Sequence, residues 1–515
     1  MEFHATEMTY RDIIIIGGGA AGLMAAIGAG NYSRAAGHPL TGGGPDAYRP
    51  LILEKMPRPG RKIMITGKGR CNFTNVKPWN EFSAHIHPKA ALLKPAFHNL
   101  PPEALSEMFR LAGLETVVER GDRAFPASHR SADVVDTLVR MARQCGAEIL
   151  CNKEVTDIHG ISPDKTAPCA ESGQTGRAER NVCARFSVEC SDGSRYACRK
   201  LIIATGGLSY PASGSTGDGF RWAEECGIRT NATFPSLTAI VPAGYKATQV
   251  SGKHGRRPDS ACSDRHGGKG HIDRSIPLSA KGKALEGIQL KNTGLAIYSG
   301  DSLLCEESGD IDFTDGGLEG PAGFKVSRKC VKAISNGNRL TAVIDLKPAV
   351  SPEDLEKRIS GLWQEIGNDR RSKGKSDNER LTVLLGKLIP RDLIRGFMLC
   401  NPGIDCRRLP YALKNWKMDI AGYVGYERCV ITAGGIDASE ISPKTLESRK
   451  IHGLYFAGEV LDLDGDTGGY NLHIAFSTGY LAGQSAAGSI IGQTFVRHSP
   501  EKHPTGPPVR PSLQD

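Results

Sequence analysis

Gly17, Gly19 and Gly22 stand at a spacing that brings a polypeptide backbone against a phosphate. They follow the apolar run Ile13–Ile16 and open a stretch of small residues that includes Ala20 and Ala21. Each glycine has its own task in such a turn. Gly17 permits the tight reversal, Gly19 lets the chain approach a pyrophosphate with no Cβ in the way, and Gly22 lets the next helix pack close to the strand. The helix N-terminus then offers unpaired N–H groups and partial positive charge to the phosphates. Glu54 ends the next apolar run, where its carboxylate can accept hydrogen bonds from ribose hydroxyls, and Lys55 follows it. An acid there favours an unphosphorylated ribose. Gly17 and Glu54 lie 37 positions apart, against the ~20 usual for this unit. The Gly/Pro-rich stretch Asn31–Pro50 accounts for the excess if it loops out.

Other segments decide which dinucleotide fits. Leu201–Ala204 reads as a buried strand ending in Thr205-Gly206-Gly207, and the Ala204-Thr205-Gly206 turn resembles the recurring one in FAD-binding Rossmann domains. Near the far end, Gly453–Glu459 followed by Asp462 resembles the segment that reaches the ribityl chain, with Gly458 and Glu459 as contacts. A helix beginning near Gly469-Tyr470-Asn471 would aim its positive end at the flavin N1 and C2 oxygen and stabilise reduced flavin. Only a long cofactor needs sites at both ends of the chain, which selects non-covalent FAD. Lys62, Gly67, Arg70, Cys71, Asn72 and Val155 complete the expected cofactor contacts. No second GxGxxG motif serves a nicotinamide, so NADH or NADPH is expected as a transient electron donor. For proton donation to substrate, the candidates are Tyr210 and His473, with Arg70 as an anchor for a carbonyl oxygen.

With these residues in place, the chain resembles the BaiN-type flavoproteins, a bacterial family of NAD(P)/FAD-dependent oxidoreductases. The matching blocks are Ile15–Gly22, Gly60–Lys62, Thr66–Asn75, Phe125–Ser128, Ala204–Gly219, Phe313–Asp315, Gly320–Ala322, Thr432–Ile436 and Gly453–Gly479. The resemblance implies a discontinuous FAD domain built from both chain ends. It also implies reduction of conjugated C=C bonds in keto-steroids such as dehydro-bile acids, with a flavin-dependent amine (aminoacetone) oxidase activity also attached to the family. Asp315 stands where the family usually has His, and His473 where Gln is common. An RNA-modifying flavoprotein and a non-catalytic flavin protein are the readings from other classes.

The elements that must position these groups give an α/β fold class. The expected architecture is a discontinuous Rossmann-type (two-dinucleotide-binding) FAD domain with an inserted β-rich domain and a small helical segment. The expected boundaries are 1–230 for the first FAD part, 231–350 for the β-rich insertion, 351–419 for the helical segment, 420–492 for the second FAD part, and 493–515 for a disordered tail. The first ten residues read as a loose leader, and Ser131 as the N-cap of a helix to Cys145. A hydrophobic content of 39% with 23% charged residues belongs to a globular chain. No run approaches the ~18 apolar residues of a spanning helix, so a cytoplasmic protein without membrane partner is expected. The fourteen cysteines are scattered with no CxxC pair, which disfavours zinc and any other metal. The net charge is +9, and residues 246–283 hold nine Lys or Arg against three Asp. That concentration in a Gly/Ser-containing stretch reads as a flexible basic insertion, replaceable over 250–282 by a short linker, rather than as a surface for a stable nucleic-acid partner. A small-molecule substrate is expected.

Overall fold

The computed structural model describes residues 8–36, 49–160, 185–247 and 269–491. Its main sheet runs, from one edge, Glu148–Cys151, Leu51–Glu54, Thr9–Ile16 and Arg195–Ile203. Arg195–Ile203 is shared. Its C-terminal half pairs in parallel with Leu454–Phe456, while its N-terminal half pairs antiparallel with Phe186–Cys190, beside which lies Val155–His159. Ile13–Ile16 and Leu201–Ile203 are apolar throughout because both sheet faces are covered. The strand begins at Thr9, within the ten residues expected as a leader; residues 1–7 lie outside the described residues.

The two chain ends meet in this domain through glycines. Helix Ala20–Ala35 lies against the C-terminal helix Tyr470–Ile491. A Cβ on Gly479 would fall 2.1 Å from the Ala21 oxygen, and one on Gly483 would fall 1.9 Å from the Ala25 oxygen. Backbones that approach so closely hold the GxGxxG turn and the last helix in one unit. The first helix runs through Ala35, so the crossover excess begins later than Asn31; residues 37–48 lie outside the described residues. Helix Ser131–Gln144 is capped differently from expectation. Arg130 is its N-cap, and the Ser131 hydroxyl donates to the Met64 carbonyl at 2.7 Å instead.

The insertion is a closed six-stranded barrel in the order Ile240–Pro242, Gly317–Glu319, Ser302–Thr314, Gln289–Ser299, Leu340–Asp345 and Trp416–Tyr423. It has its own core, in which helix Gly320–Ser335 buries Val326, Cys330 and Val331. Helices Pro352–Asn368, Asp377–Leu388, Arg391–Cys400 and Leu409–Lys414 lead back to its last strand. That strand corrects the boundary at 419/420. Trp416 and Met418 face the barrel core while Lys417 and Asp419 face out, the alternation of a half-buried strand. The barrel joins the sheet domain through Thr230–Ser236, paired antiparallel with Ile431–Ile436.

The basic segment also differs from expectation. Residues 248–268 lie outside the described residues, but both flanks are folded. Lys246 bridges to Leu278, His271 bridges to Tyr423, and Ser279 caps helix Ala280–Leu285 by accepting from the Gly282 amide at 3.1 Å. Ile272 and Leu278 pack against the barrel core. Apolar residues spaced irregularly among glycines and lysines concealed this in the sequence. Exchanging 250–282 for a linker is therefore expected to lower barrel stability, since the half-buried Ile272 and Leu278 lose their packing against the barrel core. A thermal melt that matches the parent protein would contradict this.

Candidate active site

A cavity that opens to solvent, enclosing about 1210 Å³ of atom-free space when the solvent at its mouth is included, lies at the C-terminal edge of the parallel strands. At one end stands the glycine turn. Gly17 has φ +103°, and its N–H donates to Leu53 O at 2.9 Å. A Cβ there would lie 2.5 Å from the Ala204 oxygen, and one on Gly22 would lie 1.8 Å from the Gly17 oxygen. Gly19 is different. A Cβ on it would meet nothing within 4 Å, because it faces the cavity. Gly19 is also the N-cap of Ala20–Ala35, and no side chain caps that helix and no acid sits in its first turn. Its amides open on the cavity beside Ala20 and Ala21, where a helix N-terminus favours an anion.

Glu54 lines the same end. Its Oε2 accepts from Gly18 N at 2.7 Å and its Oε1 from Met56 N at 2.8 Å. Burial pushes its carboxyl above the usual range, and these two amides oppose that. Each oxygen keeps a lone pair for a ribose hydroxyl. Lys55 turns to Asp218 at 2.7 Å and to the Thr216 hydroxyl. Val155 lines the wall here, together with Ser213, Gly214, Ser215 and Trp222, which motif reasoning did not single out. The block Ala204–Gly219 held the signal for the serines; the strand–turn–helix order places them beside the turn.

Ala204, Thr205 and Gly206 line the middle of the cavity, followed by Lys62, Gly458 and Glu459. Lys62 donates to Glu459 and to the Ser209 hydroxyl, and the Ser209 hydroxyl donates to Glu459. Glu459 also accepts from Thr432 N at 2.7 Å. An ammonium has three protons, so one donor of Lys62 is left for a bound group. At the far end, Ile63, Thr66, Val430, Ile431, Leu463, Asn471 and Leu472 make a more apolar wall. Asn471 clips the preceding turn, accepting from Gly465 N and donating to Gly465 O, both at 2.7 Å.

Several expected contacts stand behind this wall. Among residues 66–72, Thr66 lines the cavity whereas Gly67, Arg70, Cys71 and Asn72 do not. Arg70 is paired with Glu119, lies 2.9 Å from His129 Nδ1, and stacks 4.4 Å over the Phe125 ring. Glu119 and His129 both meet its Nη2, and Arg70 does not line the cavity. Cys71 is buried at φ +56°, and burial pushes its thiol up to about 12, so it is no thiolate. The Asn72 Oδ1 is buried without a hydrogen-bond partner among the described residues. Gly469 (φ +97°) is pinned against Thr74, and Tyr470 is buried with its ring stacked on His85 at 4.5 Å; neither lines the cavity.

His473 is the main correction. It is fully buried, packs between Phe82 and Phe97, and its Nδ1 lies 2.9 Å from the Thr74 hydroxyl, away from the cavity. Its Nε2 has no partner among the described residues. Burial lowers its pKa to about 3, so the ring is neutral, and it does not line the cavity. The unfolded imidazole takes a proton below about 6.5, while the folded one refuses it until about 3. The fold therefore gains stability as pH rises through that window, by at most about 1.4 kcal/mol per unit. His473→Gln is expected to flatten that acid limb in urea melts, and an unchanged limb would show that another group sets it.

Tyr210 also lies outside the cavity lining, half-buried at φ +52°, one residue beyond Ser209. Burial raises its phenol pKa, with Arg428 opposing and Glu319 adding. Asp315 sits in the same neighbourhood, paired with Arg428 and, at 3.2 Å, with Arg274. Burial opposes its ionisation, but these two arginines hold its carboxyl below the ordinary range. No helix among the described residues is long and apolar enough to cross a membrane.

Comparison with known proteins matches residues 11–485 to the HI0933-like protein Rossmann domain. The 3-dehydro-bile acid delta(4,6)-reductase of Clostridium scindens is 26% identical over 92% of this chain and 98% of its own. The ribosomal RNA dihydrouridine synthase of Haemophilus influenzae is 27% identical, again over 92% of this chain and 98% of its own. Among solved structures, 3-ketosteroid-delta4-(5alpha)-dehydrogenase from Rhodococcus jostii superposes with TM-score 0.42 at 13% identity, over 94% of this chain and 98% of its own.

Proposed function

The chain belongs to the HI0933-like family, and on that premise we propose that it is an FAD-dependent oxidoreductase that reduces a C=C bond conjugated to a carbonyl. The observation that carries this reading is the continuous cavity from Glu54, past the open face of Gly19, to the wall at Asn471. Its lining has the chemistry that suits a dinucleotide carrying a ring system: acid for ribose, amides for pyrophosphate, apolar walls for a flavin. Bound FAD supplies the hydride; the chain's residues bind, orient and hold protons around it. The names of the two relatives describe one bond type. A 3-dehydro steroid with double bonds at 4 and 6, and a uracil that becomes dihydrouracil, each present C=C beside C=O. NADH or NADPH is the proposed donor.

Anaerobic spectra test this. The purified protein should be yellow, bleach with NADH or NADPH, and recover its colour with an enone. A flavin that is reduced by an amine, reacts with oxygen and ignores every enone would replace this reading with an amine oxidase such as aminoacetone oxidase. A second reading, a uracil within RNA, has one structural observation in its favour: exposed Arg58 and Arg61 line the cavity, cations suited to a phosphate. Recovery with RNA alone, falling steeply with salt, would select it.

A further inference from the structure

The flavin-end wall is gripped by the barrel. Asp464 follows Leu463, which lines the cavity, and precedes Gly465, which the cavity-lining Asn471 clips. Its carboxylate is completely buried, and it accepts from Arg328 Nε at 2.8 Å and Nη2 at 3.1 Å. Arg328 belongs to the barrel helix Gly320–Ser335, and its guanidinium stands 5.4 Å over the ring of Phe234 in the connecting strand. Ser236 of the same strand donates to Asp464 Oδ2 at 3.3 Å. Next to this, Asn231 of the connecting strand donates to Asp462 Oδ2 at 2.8 Å, and Asp462 N donates to Ile436 O at 3.0 Å. From the other side, His85 Nδ1 and His87 Nε2 lie 2.8 and 3.2 Å from Asp466.

A buried ion pair contributes little net stability compared with apolar residues of similar shape, because both charges lose their water. What it does enforce is geometry: a forked guanidinium fits a carboxylate in one plane and one register. Here that register ties a barrel helix to the turn between two cavity-lining residues. We propose that Arg328 is a positioning residue for the flavin end of the cofactor site, so that seating of the barrel and retention of FAD are one coupled equilibrium. This rests on the FAD reading above.

The test follows FAD release from the holoenzyme by flavin fluorescence, with visible circular dichroism of the bound flavin and thermal melts alongside. Arg328→Gln leaves Asp464 buried and unpaired, and release should accelerate at least about tenfold with a changed dichroic band. Arg328→Lys keeps the charge but loses the fork, and should fall between. Adding Asp464→Asn to Arg328→Gln removes the stranded carboxylate and should recover part of the loss. If Arg328→Gln does not fold, Arg328→Lys and Asp464→Asn carry the same comparison. Release within twofold of the parent with an unchanged dichroic band, whatever the melt, overturns the proposal and leaves the pair a domain fastener. A colourless parent protein instead overturns the FAD reading, and the two failures are thereby distinct.

Discussion

Replacing Gly19 with valine is expected to give a folded protein without flavin. At Gly19 φ is −78°, a conformation open to any residue, and an added Cβ meets no protein atom within 4 Å. The substitution is therefore tolerated by the fold. The branched side chain instead fills the space directly before the first-turn amides of Ala20–Ala35, where the pyrophosphate must come. Losing those amide contacts should weaken FAD binding at least a hundredfold, about 3 kcal/mol. The neighbouring glycines provide the control. At Gly17 and Gly22 a Cβ would strike backbone at 2.5 and 1.8 Å, so their valine variants should lose the fold as well as the flavin. A Gly19→Val protein that melts like the parent and stays yellow would remove the cofactor assignment.

That contrast also explains what the sequence made legible. The glycine turn solves local backbone problems, and local problems leave local signatures. Glu54 was legible for the same reason: a four-residue apolar strand ending in an acid, whatever the length of the crossover before it. His473 was not read correctly, although the information was present. Once Asn471 faces the cavity, a residue two positions on lies about 200° around the helix, while Ile474 and Ala475 return to the lining. The motif marked the helix start but not its rotation, which is set by packing of Gly479 and Gly483 on Ala21 and Ala25. Arg70 and Asn72 belong to a loop whose order was legible; the Glu119 and Phe125 that hold Arg70 come from a hairpin about fifty positions away, and no spacing rule connects them. Trp416–Tyr423 was misplaced because four helices precede it and only the closed barrel shows why the chain needs one more strand. Arg328 carried no motif at all, since its partner lies in the other domain.

With His473 fully buried and Arg70 held by Glu119, Tyr210 is the remaining candidate of those three for a proton donor, and its phenylalanine variant should separate the two half-reactions. Its backbone is at φ +52°, a position that costs a non-glycine residue about 1–3 kcal/mol. The surroundings enforce it: Tyr210 N donates to Tyr426 O at 2.9 Å, and its carbonyl accepts from Ser213 N at 2.8 Å and the Ser213 hydroxyl at 2.7 Å. Ser209, the preceding residue, is already hydrogen-bonded into the Lys62–Glu459 network on the cavity wall. Burial raises the phenol pKa above its ordinary value of 10.0, so the hydroxyl keeps its proton at neutral pH and can donate it to a carbon that has just accepted hydride. Tyr210→Phe should slow flavin reoxidation by an enone about a hundredfold, the lower range for a general acid, while reduction by NADH or NADPH stays near the parent rate. His473→Gln should leave both rates near the parent. Equal losses in both half-reactions would place Tyr210 in positioning the cofactor. A Tyr210→Phe enzyme that reoxidises at the parent rate would rule the phenol out as the acid and turn attention to Lys62, which lines the cavity and keeps a third N–H beyond its bonds to Glu459 and Ser209.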